Sequence, residues 1–277
     1  MTSFTIRPFA TIDEYRACAD LQEDTWGKGF SERVSPAILK VAQILGGVSA
    51  GAWDDEGRLV GFVFGMTGQR DGELVHWSDM LAVRPELRDS GLGRQLKAYQ
   101  REDVLSRGVE KMFWTFDPLR SRNAHLNITR LGAVVREYHE NMYGDTDSPL
   151  HKGIGTDRMV ALWQLPTDRV AERVAAFSAP GPSPVIPFAD GPSALAAAMD
   201  GAHPRPAEPD TTLGNDFVHV AIPSDIGTLM SDDLGLAVAW REATRAVFHH
   251  YLSSGYEVRE FQRGTPVSTY LLARLSG

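Results

Sequence analysis

The segment Asp79-Met-Leu-Ala-Val-Arg-Pro-Glu-Leu-Arg-Asp-Ser-Gly-Leu-Gly-Arg94 joins a strand pattern to a helix pattern through Arg-x-x-Gly-x-Gly, with Arg88, Gly91 and Gly93 at the fixed positions. This feature constrains the chain most. Successive amides at a helix N-terminus carry the positive end of the helix dipole, and glycines let an anion such as a pyrophosphate approach the backbone. Arg88 and Arg94 add charge. The segment is neither the phosphate loop of nucleotide triphosphatases nor a dinucleotide fingerprint, because the residues those sites need are missing.

The flanking pattern supplies the elements such a turn needs. Phe4 to Pro8 reads as a strand and Ile12 to Trp26 as an amphipathic helix. A second helix is predicted from Ser35, an N-cap followed by Pro36, to Leu45, where Gly46 and Gly47 end it. Val48 to Trp53 and Leu59 to Gln69 flank Asp55-Glu56-Gly57 as a hairpin, and Leu74 to Val83 is a further strand. Arg94 to Arg107 is helical and closed by Gly108. Met112 to Phe116 reads as strand, Ser121 to Leu131 as helix, and Ala133 to Tyr138 and Arg158 to Leu165 as strands. The expected order is β-α-α-β-β-β-α-β-α-β-β.

After a short helix at Asp168 to Phe177, residues 178 to 212 are rich in Pro, Ala and Gly and read as a linker. The prolines exclude a regular helix or central strand. Beyond it come a strand at Phe217 to Ile222, a long helix at Ser231 to Leu252, and strands at Tyr256 to Gln262 and Val267 to Leu275. These repeat the strand, loop, helix, glycine turn and two strands of Lys111 to Leu165. The expected organisation is a domain over 1–166, a helix and linker over 167–212, and a half-domain over 213–277. A half-domain has an unpaired sheet edge and an uncovered apolar face, so it should pack against the first domain or a second subunit, as in a homodimer.

Composition excludes several classes. The 28 Lys and Arg are scattered among 36 Asp and Glu for a net charge of −8, so the basic footprint of a nucleic-acid binder is missing. Cys18 is the single cysteine, which leaves no internal disulfide and no Cys/His cluster for zinc, and no metal is implied. The N-terminus has no apolar signal region, and no stretch nears the roughly 18 apolar residues of a transmembrane helix. The expectation is a cytoplasmic protein with no membrane or nucleic-acid partner.

The turn and its setting resemble the GNAT (GCN5-related N-acetyltransferase) superfamily, whose coenzyme A site carries [Gln/Arg]-x-x-Gly-x-[Gly/Ala] after the fourth strand. Arg88, Gly91 and Gly93 match it position for position, and the element order over about residues 4 to 165 is similar to the whole fold. The resemblance implies an α/β (α+β) fold with a mixed central sheet flanked by helices, and acetyl-CoA or another acyl-CoA as cofactor. It implies that amides from Asp89, Ser90, Gly91, Leu92, Gly93 and Arg94 bind the pyrophosphate beside Arg88. The strand end at Leu81, Ala82 and Val83 would hold the pantetheine and polarise the thioester carbonyl. Ser121 and Asn123 would lie beside the cofactor. The implied reaction is acyl transfer to a primary amine of a small molecule, an amino acid or similar metabolite, by direct attack in a ternary complex.

The pattern departs from the family in one place. Where many members have a tyrosine that protonates the departing thiolate, this chain has Ile128, whereas the second copy has Tyr251 at the equivalent position. Tyr251 is either a core residue or the completion of a site between the halves. A base is needed to deprotonate the amine, and the candidates are His76, Asp79 and Glu23. His76 alternates with Trp77, so only one of them faces the pocket. Tyr138 to Gly144 and Gly153 to Arg158 either wall the acceptor site or form an ordered loop that Asp157 and Arg158 fix. The alternative function is an acyl-CoA-binding regulatory module that has lost transfer chemistry.

Overall fold

The computed structural model describes residues 4–88, 90–144, 153–176 and 187–276. In chain order the elements are β1 (Thr5–Pro8), α1 (Ile12–Trp26), α2 (Pro36–Ile44), β2 (Val48–Trp53), β3 (Leu59–Arg70), β4 (Glu73–Val83), α3 (Leu92–Leu105) and β5 (Lys111–Phe116). Then come α4 (Ser121–Ala124), β6 (Val134–His139), β7 (Arg158–Gln164), α5 (Asp168–Ala175), β8 (Ser193–Leu195), β9 (Ala197–Asp200) and β10 (His203–Pro206). The chain ends with β11 (Phe217–Pro223), α6 (Ile226–Asp232), α7 (Leu234–Ser253), β12 (Tyr256–Gln262) and β13 (Val267–Arg274). Two compact units form: the described residues among 1–114 and 164–180, and those among 115–163 and 181–277.

In the first unit, β1, β2, β3 and β4 pair antiparallel in sequence order, and β5 joins parallel to β4. Local chemistry sets the helix starts. Thr11 and Glu14 form a reciprocal capping box on α1, and the Arg7 guanidinium beside Glu14 pulls its pKa down to about 2. Ser35 caps α2 ahead of Pro36 as expected. At Gly47 a Cβ would fall 2.5 Å from the Gly65 carbonyl oxygen, so only glycine lets α2 turn onto the sheet. One face of the sheet buries Phe62, Phe64, Met80 and Ala82 against Phe9, Tyr15, Leu21 and Leu39, the core under α1 and α2. Each such large side chain contributes roughly 1.5–3 kcal/mol.

In the second unit the strand order is β7-β6-β12-β13-β11-β8. The last two strands of the first repeat and those of the second meet side by side, with Val258 of β12 opposite Val135 of β6. The edge that a half-domain leaves open is met by β6 on one side and by β8, parallel to β11, on the other. Asp117 and Arg241 form a buried ion pair at 2.8 Å that ties α7 to the segment after β5.

Three sequence expectations change. The helix at Ser121 to Leu131 is α-helical only to Ala124; from His125 to Arg130 the turn widens into a π-helix, where the Leu131 amide bonds back to Leu126. The long helix at Ser231 to Leu252 is two helices. Asp233 sits extended between them, and its carboxylate takes the Leu236 amide as the cap of α7, a role for which a short acidic side chain competes well. Residues 187–212 are not all irregular: β8 is an edge strand, and β9 and β10 form a two-stranded ribbon closed at Gly201. Edge and ribbon positions tolerate proline because half the ladder bonds are not needed.

Candidate functional site

The turn before α3 is built on glycine and leaves the start of the helix open. Gly91 is the N-cap at φ +91°, a left-handed conformation that favours glycine. Gly93 has no such need: a Cβ there would lie 3.6 Å from Leu81, an ordinary contact, so the missing side chain leaves the turn open rather than relieving a clash. The Ser90 hydroxyl donates to the Leu87 carbonyl and accepts the Leu92 amide, which fixes the loop. The first turn of α3 holds no acidic residue. Asp89 lies outside the described residues; Arg88 is exposed beside the turn.

The strand feeding this turn is bent and splayed. Phe64 pairs with Met80 and Gly65 with Ser78, so Asp79 is an extra residue, a β-bulge. The bulge changes which residues share a face. Ser78 before it, and Leu81 and Val83 after it, all face α3, as their contacts with Gln100 and Gly93 show. β4 pairs with β5 only from Val75 to Trp77, opposite Lys111 to Phe113. Beyond Trp77 the two strands have no shared ladder among the described residues, so Leu81, Ala82 and Val83 present backbone groups along an open seam.

Asp79 is exposed at the bulge. Its carboxyl is held above the usual range, first by the chain crowded around it and then by the Glu32 carboxylate from the α1–α2 connection. Asp79 stands unpaired between Ser78, which faces α3, and Met80, which faces α1 and α2.

The other sequence candidates sit elsewhere. His76 faces α3 and is fully buried, and burial, Lys97 and Arg107 push its pKa down to about 3. Trp77 takes the opposite face, in register with Met66. Glu23 is paired with Arg33. Tyr251 is fully buried in the second unit, where its hydroxyl donates to the Asp210 carbonyl. Ser121 is buried with its hydroxyl on Ser268, and Asn123 is exposed; both belong to the second unit. Ile128 is fully buried. Asp157 does not pair with Arg158; Arg245 and Tyr138 hold it, which lowers its pKa although burial opposes.

Residues 15–132 match the family model described as Acetyltransferase (GNAT) family. The chain carries a GNAT acetyltransferase domain. The mixed α/β fold expected of it is the fold observed. Solved structures similar to the chain include the ribosomal-protein-S18-alanine N-acetyltransferase from Escherichia coli, at 18% identity and TM-score 0.46, covering 60% of this chain and 96% of that one. A GNAT superfamily phosphinothricin acetyltransferase from Sinorhizobium meliloti in complex with acetyl-CoA is 16% identical at TM-score 0.49, covering 60% and 89%. A putative acetyltransferase from Salmonella typhimurium with its cofactor acetyl-CoA is 19% identical at TM-score 0.47, covering 60% and 96%. No curated protein matches the chain. Among the described residues no helix is long and apolar enough to cross a membrane.

Sequence reasoning missed what lies beneath the bulge of this GNAT domain. Lys97 of α3 is buried, with Nζ donating to Ser78 Oγ at 2.7 Å and to Gln100 Oε1 at 3.3 Å. The donors then run in one direction. Ser78 donates to Gln100 Oε1, Gln100 Nε2 to His76 Nε2, His76 Nδ1 to Thr67 Oγ1, and Thr67 to the Gly46 carbonyl. This tautomer of His76 follows from the partners. The signal was present: Leu92, Leu96, Gln100 and Val104 recur at helical spacing with Lys97 in the same arc, but a lysine in such an arc normally reads as a surface residue.

Proposed function

We propose that the protein transfers an acetyl group, or a related acyl group, from acyl-CoA to a primary amine of a small molecule, an amino acid or similar metabolite. The donor follows from the GNAT domain and from the open turn at Arg88 to Arg94. The observation that carries the reading is the exposed Asp79 carboxylate at the bulge, where β4 and β5 have ceased to pair. There a thioester carbonyl can take a backbone donor from Leu81 to Val83 while a base stands on the adjoining face.

In this reading Asp79 takes a proton from the acceptor ammonium, and the neutral amine then attacks. The nitrogen bonds to the carbonyl carbon and loses its second proton to water, the carbon–sulfur bond breaks, and the thiolate takes a proton from solvent, since Ile128 supplies none. A raised carboxyl pKa suits a base that must take a proton near neutral pH. One preorganised donor to the developing oxyanion is worth about 3 kcal/mol. The buried chain from Lys97 to His76 holds Ser78, the residue before the bulge, in place. A second reading, an acyl-CoA-binding module without transfer, draws on Ile128.

Free CoA release from acetyl-CoA and succinyl-CoA with pools of amino acids and polyamines separates the two. Acceptor-dependent release, lost in Gly91→Glu, is the expected result. CoA binding without release from any pool would favour the module.

A further inference from the structure

We infer that Lys97 is a positioning residue for acyl transfer: from inside the first unit it holds, through Ser78, the point in β4 at which Asp79 bulges out. This rests on the acetyl-transfer reading above, in which Asp79 is the base. Lys97 is buried and acts only through its neighbours. Its Nζ donates to Ser78 Oγ at 2.7 Å, and Ser78 is the last residue of β4 to pair with β3 before the extra residue.

Backbone pairing alone does not fix a bulge, because the ladder closes with nearly the same bonds wherever the extra residue falls. Side chains must choose the place, and β3 offers few, with glycines at 61, 65 and 68; register is weakly specified in such a strand. Met80 anchors one side of the bulge in the core under α1 and α2, and Ser78 anchors the other toward α3. The Ser78 hydroxyl is held twice, accepting from Lys97 and donating to Gln100 Oε1 at 2.9 Å. Gln100 in turn meets His76 of β4, and His76 meets Thr67 of β3, so the grip spans both strands of the bulged pair.

The opposing strand is shaped to admit this grip. Gly65 pairs with Ser78, and a Cβ on it would run into His76 Nε2, the Trp77 carbonyl oxygen and Gln100 Nε2. Glycine there clears room for the network and for the bulged strand alike. The network does not pass protons: its donors run one way and end on the Gly46 carbonyl, which cannot hand a proton on. Stability gives no reason for it either. Leu92, Leu96 and Val104 are fully buried in the same helix, and methionine at 97 would fill that core without a charge. A buried polar group kept where an apolar one would serve is expected where geometry matters more than stability.

α3 also starts at the glycine turn. Gly91 is its N-cap, and Lys97 stands six residues on, about 9 Å along the axis. One rigid helix therefore sets both the turn proposed for the acyl donor and the bulge that carries the base. A displacement of about 1 Å between reacting groups can cost about a hundredfold in rate.

The test is Lys97→Met, alone and combined with Asp79→Asn, in CoA release from acetyl-CoA with the amino-acid and polyamine pools. Lys97→Met should lower the maximal rate about tenfold or more and leave the KM for acetyl-CoA within about twofold. Urea unfolding should show it at least as stable as the wild type near neutral pH, whereas a purely structural lysine would lose stability and keep its rate. In the Asp79→Asn background the same substitution should cost less than about twofold, because a residue that acts through Asp79 has nothing left to position. Ser78→Ala removes the linking hydroxyl and should repeat the loss of rate, and it serves if Lys97→Met fails to fold. Amide exchange reads the bulge without any acceptor: Lys97→Met should speed exchange at Met80 to Val83 about tenfold and leave β2 unchanged or slower. A full rate in both single variants, or an equal loss with and without Asp79, would overturn the inference and leave acetyl transfer standing. A wild type that releases no CoA from any pool would sink the transfer reading; faster exchange beyond the bulge would then uphold the hold on β4, and unchanged exchange would overturn that too.

Discussion

Replacing Lys97 with methionine should make the protein more stable near neutral pH and flatten its stability against pH. Burial pushes the Lys97 pKa from 10.5 down to about 7, although the Trp114 ring, 4.1 Å from Nζ, favours the ammonium. Between those two values the unfolded chain holds a proton that the folded chain lacks, so stability rises with pH. The difference between 10.5 and about 7, at about 1.4 kcal/mol per pH unit, caps the penalty at about 5 kcal/mol, reached below the folded pKa. Rising from about pH 7 to about pH 9 recovers about 2 kcal/mol of it. Methionine matches the lysine stem in length and carries no charge, and Ser78 keeps Gln100 as its partner. The assay is urea unfolding of wild type and Lys97→Met at several pH values in that range, read as the difference between the two. Subtraction cancels every other titrating group. The gap should narrow by about 2 kcal/mol across the window. Parallel curves would refute the reasoning, because they would mean that Ser78, Gln100 and Trp114 stabilise the ammonium as well as water does.

Two further outcomes follow from the same geometry. Asp79→Asn should lower kcat by about 10²–10⁴-fold with little change in the KM for acetyl-CoA. The acid limb of the wild-type pH–rate profile, set by Asp79, should lie above the usual carboxylate range and vanish in the variant. Asp117→Asn should cost about 3–5 kcal/mol in chemical denaturation, because it leaves the buried Arg241 guanidinium without its counter-charge.

The turn at Arg88 to Gly93 was legible because its requirements are local: glycine at a left-handed position, glycine at an open first turn, and a strand and a helix on either side. The starts of α1 and α2 were legible for the same reason, since Thr11, Glu14, Ser35 and Pro36 act within one turn of where they stand. The widening after Ala124 and the break at Asp233 were not. Both depend on competition between nearly equal local bonds, which packing decides. The site divides likewise. Asp79 was a candidate from position, but nothing local says that it is the extra residue of a bulge, because a bulge is defined by the partner strand.

By itself, then, the sequence determined the glycine turn before α3, the run of elements that makes an acetyltransferase domain, and the repeat of the strand-helix-strand-strand pattern near the C-terminus. Each is written in neighbouring residues or in a period. Tertiary structure alone decided that β12 lies against β6, that His76 and Trp77 take opposite faces, and that Lys97 is buried under the sheet. These outcomes turn on which distant segments meet, and burial, pairing and pKa are properties of the meeting rather than of any residue in it.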